Sequence, residues 1–372
     1  MRAIVIGAGP AGLAAAACLV RQGVETRILE RSDAVGSSWR NHYGRLHLHT
    51  ARGRSGLPHH PMPDRYGQYP SRTDMIEYLE DYAAHFGLEP QFGVSVAAVR
   101  PAEAGWVVHH SGGEDRADAV VFATGLNGTP FRAELPGIDG FSGRVLHSSD
   151  YDAPDDLTPG RVLVVGFGNS GGEIALDLAE AGAEVTLSVR GPVNILPKEI
   201  FGLPITSMGL LRKIFSYRVA DAITAPVLRA KIGRPEDYGL QSAGKGPAAQ
   251  VIEDGRIPLI DIGTLGAIRD GKITVRPGVD RIDGDTVHFV DGETGAFDAI
   301  LLATGYRVDL RAMLPDTPQV LSAAGKPLVS GGESGAPGLF FCSYKASAEG
   351  QLRQSGMEAE EIARLVGTQG GV

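Results

Sequence analysis

Two glycine-punctuated turns dominate the chain, Gly7-Ala8-Gly9-Pro10-Ala11-Gly12 and Gly166-Phe167-Gly168-Asn169-Ser170-Gly171. Residues of this type at this spacing bind phosphate. They let the chain turn tightly, bring bare backbone N–H groups against a pyrophosphate and seat a helix closely on a strand, while the helix N-terminus adds partial positive charge. Gly7, Gly9 and Gly12 fill those roles first, then Gly166, Gly168 and Gly171; Pro10-Ala11 and Asn169-Ser170 open the two helices. One such turn in a chain with 51 glycines could be a chance loop. Each copy, however, follows a continuous apolar run (Ala3-Ile4-Val5-Ile6; Val162-Leu163-Val164-Val165) and precedes an Ala-rich segment, as a strand buried on both faces and its following helix require. The chain is expected to hold two dinucleotides.

The ends of the next strands assign the ligands. About twenty residues beyond each turn, Thr26-Arg27-Ile28-Leu29-Glu30 and Val185-Thr186-Leu187-Ser188-Val189-Arg190 stop where a side chain meets the adenosine ribose. An ionised Glu30 only accepts hydrogen bonds, so it suits a free ribose diol and repels a 2′-phosphate; the first site is expected to hold FAD or NAD. Arg190 offers a planar fork of donors that fits a phosphate, so the second site favours NADPH. An ordinary solvated strand-end charge is the alternative for Arg190. Gly191 follows it where a hydroxyl could have helped, which leaves mixed NADPH and NADH use open.

The composition, 43% hydrophobic and 21% charged over 372 residues, suits a globular chain with two cores of ordinary domain size. A net charge of −9 without a Lys/Arg block argues against nucleic acid as a partner. The chain starts directly on a buried strand, so a cytoplasmic location is expected. The apolar run Ala11 to Val20 is too short to cross a bilayer. Cys18 and Cys342 stand alone in apolar surroundings, so no CxxC is present to pass electrons from a flavin to a disulfide. Both thiols read as small core residues.

Val120-Val121-Phe122-Ala123-Thr124-Gly125 and Ile300-Leu301-Leu302-Ala303-Thr304-Gly305 are apolar strands with the same ending, each read as the last strand of one half. The expected fold is α/β, with two Rossmann-like dinucleotide-binding domains: an FAD domain (residues 1–148 and 300–372) interrupted by an inserted NADPH domain (residues 149–299). Gly338 to Cys342 reads as a strand and Met357 to Val366 as a helix that complete the first domain.

Phe141-Ser142-Gly143-Arg144-Val145-Leu146-His147-Ser148-Ser149-Asp150-Tyr151 matches the FxGxxxHxxxY/F sequence of the class B flavin-containing monooxygenases. The chain resembles that family, which holds FAD and NADPH in one polypeptide. Tyr151, rather than Trp, points to the flavin-monooxygenase branch and away from the Baeyer–Villiger enzymes. GFGNSGGEIALDLA, SVRGPVNILPKEIFG, PLIDIGTLGAIRDGKITVRPGV and FDAILLATGYR extend the likeness to the plant YUCCA-type enzymes, which convert indole-3-pyruvate to indole-3-acetate. Leu126 departs from them, standing where an acidic residue tends to follow Ala-Thr-Gly.

The resemblance implies further contacts. Gly36-Ser37-Ser38-Trp39-Arg40 is similar to the family's GGxW stretch, which crosses the FAD pyrophosphate and makes Ser38, Trp39 and Arg40 candidates; Arg31, Val96, Ala123, Thr124, Gly125, Gly305 and Tyr306 join the cofactor set. Leu46 to Thr50 resembles the segment beside the isoalloxazine; read as a strand, it puts His47 and His49 on one face, with His49 the cofactor candidate. His42, His59 and His60 lie near in sequence, but no acidic or thiol partner falls at metal-ligand spacing, so no metal is expected. Tyr69 and Arg72 are candidate NADPH contacts, the alternative being a plain helix start at Thr73. Gln351 stands before the last helix, whose positive end would face the flavin C2 carbonyl.

On this resemblance NADPH reduces the flavin, oxygen adds at flavin C4a, and one oxygen atom enters a small organic substrate: an aryl pyruvate, sulfide, amine, indole or ketone. No acid–base dyad is evident; Thr50 and Asn127 are the candidates for hydrogen-bonding the oxygen adduct. Two alternatives use the same sites: a reductase passing electrons to a ferredoxin or quinone, and a non-catalytic redox sensor. From Ser207 to Ile232, apolar residues at helical spacing alternate with Arg212, Lys213, Arg218 and Arg229. Packing on the domain explains that stripe better than a membrane surface. Oligomeric state is not legible, and a homodimer is compatible.

Overall fold

The computed structural model describes residues 1–205, 215–347 and 349–369. The elements that carry the two turns are, in chain order, β1 (Arg2–Ile6), α1 (Pro10–Arg21), β2 (Glu25–Leu29), α2 (Arg72–His85), β3 (Ala119–Phe122), β4 (Arg144–His147), β5 (Arg161–Val165), α3 (Asn169–Glu180), β6 (Glu184–Ser188), α4 (Tyr217–Ile232), β7 (Ile273–Arg276), β8 (Ala299–Leu302), β9 (Leu339–Phe341) and α5 (Gln351–Gln369). They divide between two compact units: Met1–Arg40, Thr50–Thr129 and the chain from Tyr306 onward; and Asn41–His49 with Pro130–Gly305.

In the first unit the strands run parallel in the order β2-β1-β3-β9, with Ile6 opposite both Leu29 and Phe122. Buried side chains of both parities explain the unbroken apolar run of β1. One sheet face packs under Trp106, Val108, Leu310 and Leu314. The other meets α1, whose alanines Ala14 to Ala17 are all buried and small enough to let α1 lie close to both the sheet and α5. The Cys342 sulfur sits in that layer, 3.8 Å from the Ala11 carbonyl oxygen and 3.7 Å from that of Ser355. A capping box between Ser71 and Asp74 starts α2 and contributes on the order of 1 kcal/mol.

The second unit repeats the plan. Its sheet is parallel in the order β7-β6-β5-β8-β4, with Val165 opposite both Ser188 and Leu302. In each sheet the strand entering the glycine turn is flanked by the next strand on one side and by the Ala-Thr-Gly strand on the other.

This pairing corrects the expected boundaries. β4 pairs with β8, Arg144 opposite Ala299, so Arg144–His147 belongs to the second sheet and not to a first domain ending at 148. β8 itself, expected after 299 in the first domain, is the inner neighbour of β5. The second unit therefore starts at Pro130, ends at Gly305 and includes the short segment Asn41–His49.

Three further expectations change. Residues 46–50 do not form a strand: His47 makes a single bridge, residues 49 and 50 lie in bends, and Leu48 is buried with His47 exposed, because His49 is held by Glu173 and Thr50 by Ser55. α5 begins at Gln351, six residues before the first residue of the expected helix at Met357, since Gly350 precedes it and no Ser, Thr or Asp marks the start. The stripe from Ser207 is only partly seen, residues 206–214 with Leu210, Leu211, Arg212, Lys213 and Ile214 lying outside the described residues. In α4, Ala220, Thr224 and Leu228 are buried at four-residue spacing while Val219 and Ile223 are exposed, so a narrow strip packs rather than the whole apolar set. Among the described residues no helix is long and apolar enough to cross a membrane.

Candidate dinucleotide sites

The first turn is closed by its own backbone. Gly7 has φ +109°, and a methyl group added there would come 2.6 Å from the Ala123 carbonyl oxygen; one added at Gly12 would come 1.8 Å from that of Gly7. These two glycines are needed to seat α1 between β1 and the end of β3. Gly9 differs: its φ is an ordinary −79°, and an added methyl meets no atom of the described chain within 4 Å. The protein has no internal reason for glycine there. The open space in front of Gly9, at the N-terminus of α1, is what a pyrophosphate would fill.

The second turn repeats this nearly atom for atom. Gly166 has φ +107° with the Ala303 carbonyl 2.6 Å from an added methyl, Gly171 would meet the Gly166 carbonyl at 2.1 Å, and Gly168 faces open space. The Ala123 and Ala303 methyl groups lie 3.5 and 3.2 Å from where a methyl at Gly12 and at Gly171 would stand, so the turn has room for small residues there. Beyond them, Thr124 bonds the hydroxyl of half-buried Tyr344 at 2.6 Å, and the Thr304 hydroxyl donates to the Phe131 carbonyl. Gly125 and Gly305 end both strands with φ near 80°.

Glu30 is buried beside the first turn, accepting the Ala8 amide at 2.7 Å and the Ser32 amide and hydroxyl at 2.9 and 2.8 Å. Gly36 donates to the Ala8 carbonyl at 3.0 Å, which lays Gly36–Arg40, with Ser38 and Trp39, against the turn. The Arg40 guanidinium is engaged with the Val35 carbonyl and the Glu80 carboxylate. Arg31 reaches the Gly128 carbonyl at 3.3 Å, next to Asn127. Val96 lies in an antiparallel three-stranded sheet; it is Val94 whose amide bonds the Glu30 carbonyl, at 2.9 Å.

In the second unit the register makes Val189 the counterpart of Glu30 and Arg190 the counterpart of Arg31, since Leu29 and Ser188 accept the Gly7 and Gly166 amides alike. Val189 stands where a ribose diol would need a carboxylate. Arg190 is exposed and has no hydrogen-bond or ion-pair partner among the described residues, its stem packed at Gly278. The Asn169 side-chain oxygen accepts the Ile260 amide at 2.7 Å, while Ser170 follows it in the first turn of α3.

The FxGxxxHxxxY/F residues hold this unit together. Phe141 is in its core, a methyl at Gly143 would lie 2.3 Å from the Asp298 carbonyl, and the Tyr151 hydroxyl donates to Asp177 at 2.8 Å. Fully buried His147 bonds the Gly305 carbonyl at 3.0 Å, and burial pushes its pKa below the ordinary imidazole value, so it is neutral and pins the end of β8.

The remaining candidates separate. His49 bonds the Glu173 carboxylate of α3 at 2.6 Å. Thr50 bonds the Ser55 hydroxyl at 2.7 Å and packs on Gly350, at the start of α5. The Gln351 side chain donates to the Ser343 hydroxyl at 2.7 Å and to the Ser343 and Lys345 carbonyls, so it fixes the approach to α5 and leaves the helix end to the main chain. Tyr69 lies just before Ser71, the cap of α2, and Arg72 is its first residue; Tyr306 follows Gly305 in a short strand. Leu126 packs into the first core. Tyr344 and Ser343, which has φ +72°, were missed: neither carries a sequence motif, and only the fold brings Tyr344 to Thr124. Among the described residues no three His, Cys, Asp or Glu side chains gather as metal ligands.

The family model described as flavin-binding monooxygenase-like matches residues 1–317. The chain belongs to that family. This flavin monooxygenase is 40% identical over 329 residues to indole-3-pyruvate monooxygenase YUCCA1 of Oryza sativa subsp. japonica, covering 87% of this chain and 81% of the relative. It is 38% identical over 317 residues to the probable indole-3-pyruvate monooxygenase YUCCA1 of Arabidopsis thaliana, covering 84% and 77%. The same fold is seen in the flavin-containing monooxygenase from Stenotrophomonas maltophilia, at 24% identity and TM-score 0.77 over 99% of this chain and 98% of that one. It is seen again in ε-caprolactone-bound cyclohexanone monooxygenase, at 20% identity and TM-score 0.74 over 99% and 88%. The flavin monooxygenase is an oxidoreductase that uses FAD, NADPH and O2 on a small molecule. Its two open glycine positions fit two dinucleotides.

Proposed function

We propose that the first turn holds FAD, the second NADPH, and that the substrate is an aryl 2-oxo acid of the indole-3-pyruvate type. The observation that carries the cofactor assignment is the contrast at equivalent strand ends: a buried carboxylate at Glu30, and an apolar Val189 followed by a free guanidinium at Arg190. Glu30 would hold the free adenosine ribose of FAD, and Arg190 the 2′-phosphate of NADPH. Gly9 and Gly168 would admit the pyrophosphates, with Ser38 and Trp39 over the first of them. Bound FAD supplies electron transfer from NADPH and the activation of O2. Thr50, its hydroxyl oriented by Ser55 beside the start of α5, and Asn127 are the proposed hydrogen-bonding groups at the reacting end.

The substrate class is supported by the names of the relatives at 40% and 38% identity over most of both chains. The reaction would consume the oxo acid, O2, NADPH and a proton, and release the shortened carboxylic acid, CO2, water and NADP⁺. We place the enzyme in the cytoplasm, where two unpaired thiols such as Cys18 and Cys342 persist. The test is a panel of indole-3-pyruvate, phenylpyruvate, a sulfide, an amine, an indole and a ketone, scored by NADPH consumption and product mass. Indole-3-acetate formed in step with NADPH supports the proposal. Turnover of the sulfide or amine, with the oxo acids inert, would replace it.

A further inference from the structure

Asn41–His49 is a strap fastened along one side of α3. Tyr43 is buried in the second core, Arg45 pairs with Asp177 and Glu180 at 3.0 and 2.9 Å, and His49 bonds Glu173 at 2.6 Å. Glu173, Asp177 and Glu180 recur at helical spacing, so the strap places its basic side chains against an acidic stripe. The first of those contacts is unlike the others. Glu173 is only 2% exposed, whereas the Asp177 and Glu180 pairs lie nearer solvent. Lys198 is half-buried close by; burial holds its ammonium below the usual lysine range, with Glu173 and then Glu199 as the charges acting against that shift.

A buried carboxylate at this place is an electrostatic problem for the second turn. Glu173 follows Gly168 by five residues, about 7.5 Å along the helix axis, and helical side chains lean toward the N-terminus, the end at which Gly168 stands. Phosphates seated at Gly168 would face an anion from behind. At that range, in a partly desolvated setting, one uncompensated charge changes anion affinity by on the order of tenfold or more.

Resting on the assignment of NADPH to the second turn, we infer that His49, acting through Glu173, sets the charge behind this turn and thereby its affinity for dinucleotide phosphates. His49 and Lys198 are the basic side chains placed beside Glu173. His49 is then a positioning residue of the second site.

The test is NADP⁺ titration of the FAD-loaded full-length enzyme, with thermal melting and FAD content measured on each variant. His49→Gln is expected to raise the NADP⁺ dissociation constant on the order of tenfold, and Lys198→Met, which leaves the strap intact, to act in the same direction. Glu173→Gln keeps the acceptor for His49 and removes the anion, so it is expected to bind NADP⁺ as tightly as the wild type or several-fold tighter. The double variant His49→Gln/Glu173→Gln is expected to return to within about threefold of the wild type. A purely structural latch predicts otherwise: Glu173→Gln would weaken binding like His49→Gln, the double variant would show no recovery, and the inference would fall. Wild-type enzyme that takes up FAD but binds no NADP⁺ would overturn the assignment of the second turn itself.

Discussion

Glu30 accepts the amide proton of Ala8 at 2.7 Å, tying the end of β2 to the middle of the first glycine turn. The same carboxylate also holds Ser32, so one buried side chain organises both the turn and the loop that leaves the sheet. Replacing it with Ala strands the Ala8 amide and removes the acceptor proposed for the ribose. Glu30→Ala is expected to lower FAD affinity by on the order of tenfold to a hundredfold, read by flavin fluorescence during reconstitution. A variant that retains FAD as the wild type does would remove Glu30 from the site.

The turn glycines are expected to separate into two phenotypes. Gly12→Ala would drive a methyl group to within 1.8 Å of the Gly7 carbonyl, so the apoprotein should melt well below the wild type. Gly9→Ala meets no atom of the described residues within 4 Å, so the apoprotein should melt normally and yet fail to hold FAD. Gly171→Ala and Gly168→Ala should repeat the pair, with NADP⁺ binding as the readout. Equal loss of stability in both members of a pair would contradict the reading of Gly9 and Gly168 as ligand positions.

Arg190→Ala should weaken NADPH on the order of tenfold to a hundredfold while leaving NADH nearly unchanged, because a charge-assisted contact to the 2′-phosphate is lost and nothing else is. Steady-state kinetics with the two nucleotides would measure it. Equal losses would place the phosphate elsewhere.

Burial pushes the Cys18 thiol up to about 12 and raises Cys342 well above its ordinary value. Both thiols are therefore neutral in the native protein at pH 8, and neither should react with a thiol reagent until the chain unfolds. The sign for stability follows: the unfolded chain loses these protons first, so stability should fall as pH rises above the ordinary thiol value toward about 12. Labelling of native enzyme at pH 8 would show that the layer between α1 and α5 opens.

Much of this was legible because local pattern and tertiary role coincide. Apolar runs before Gly7 and Gly166 marked strands buried on both faces, and the glycine spacing marked the turns. The reciprocal closure of Gly7 by Ala123 and Gly166 by Ala303 gave meaning to the repeated Ala-Thr-Gly. What stayed hidden depends on pairing between distant segments. Arg144–His147 carries no sign that it joins β8, and the alternating pattern of residues 46–50 suggested a strand where the His49 bond to Glu173 of α3 wins. His49 was assigned to the flavin by likeness; its partner Glu173 lies 124 residues away and is revealed only by the fold. Tyr344 bonds Thr124 across 220 residues for the same reason.

The central claim, FAD in the first turn and NADPH in the second, is tested most directly by anaerobic mixing of the FAD-reconstituted enzyme with NADPH or NADH while flavin absorbance is followed. The account predicts one FAD per chain, full bleaching by NADPH, and slower or weaker reduction by NADH. A protein that remains colourless after incubation with excess FAD, or a flavin that NADPH leaves oxidised, would contradict it.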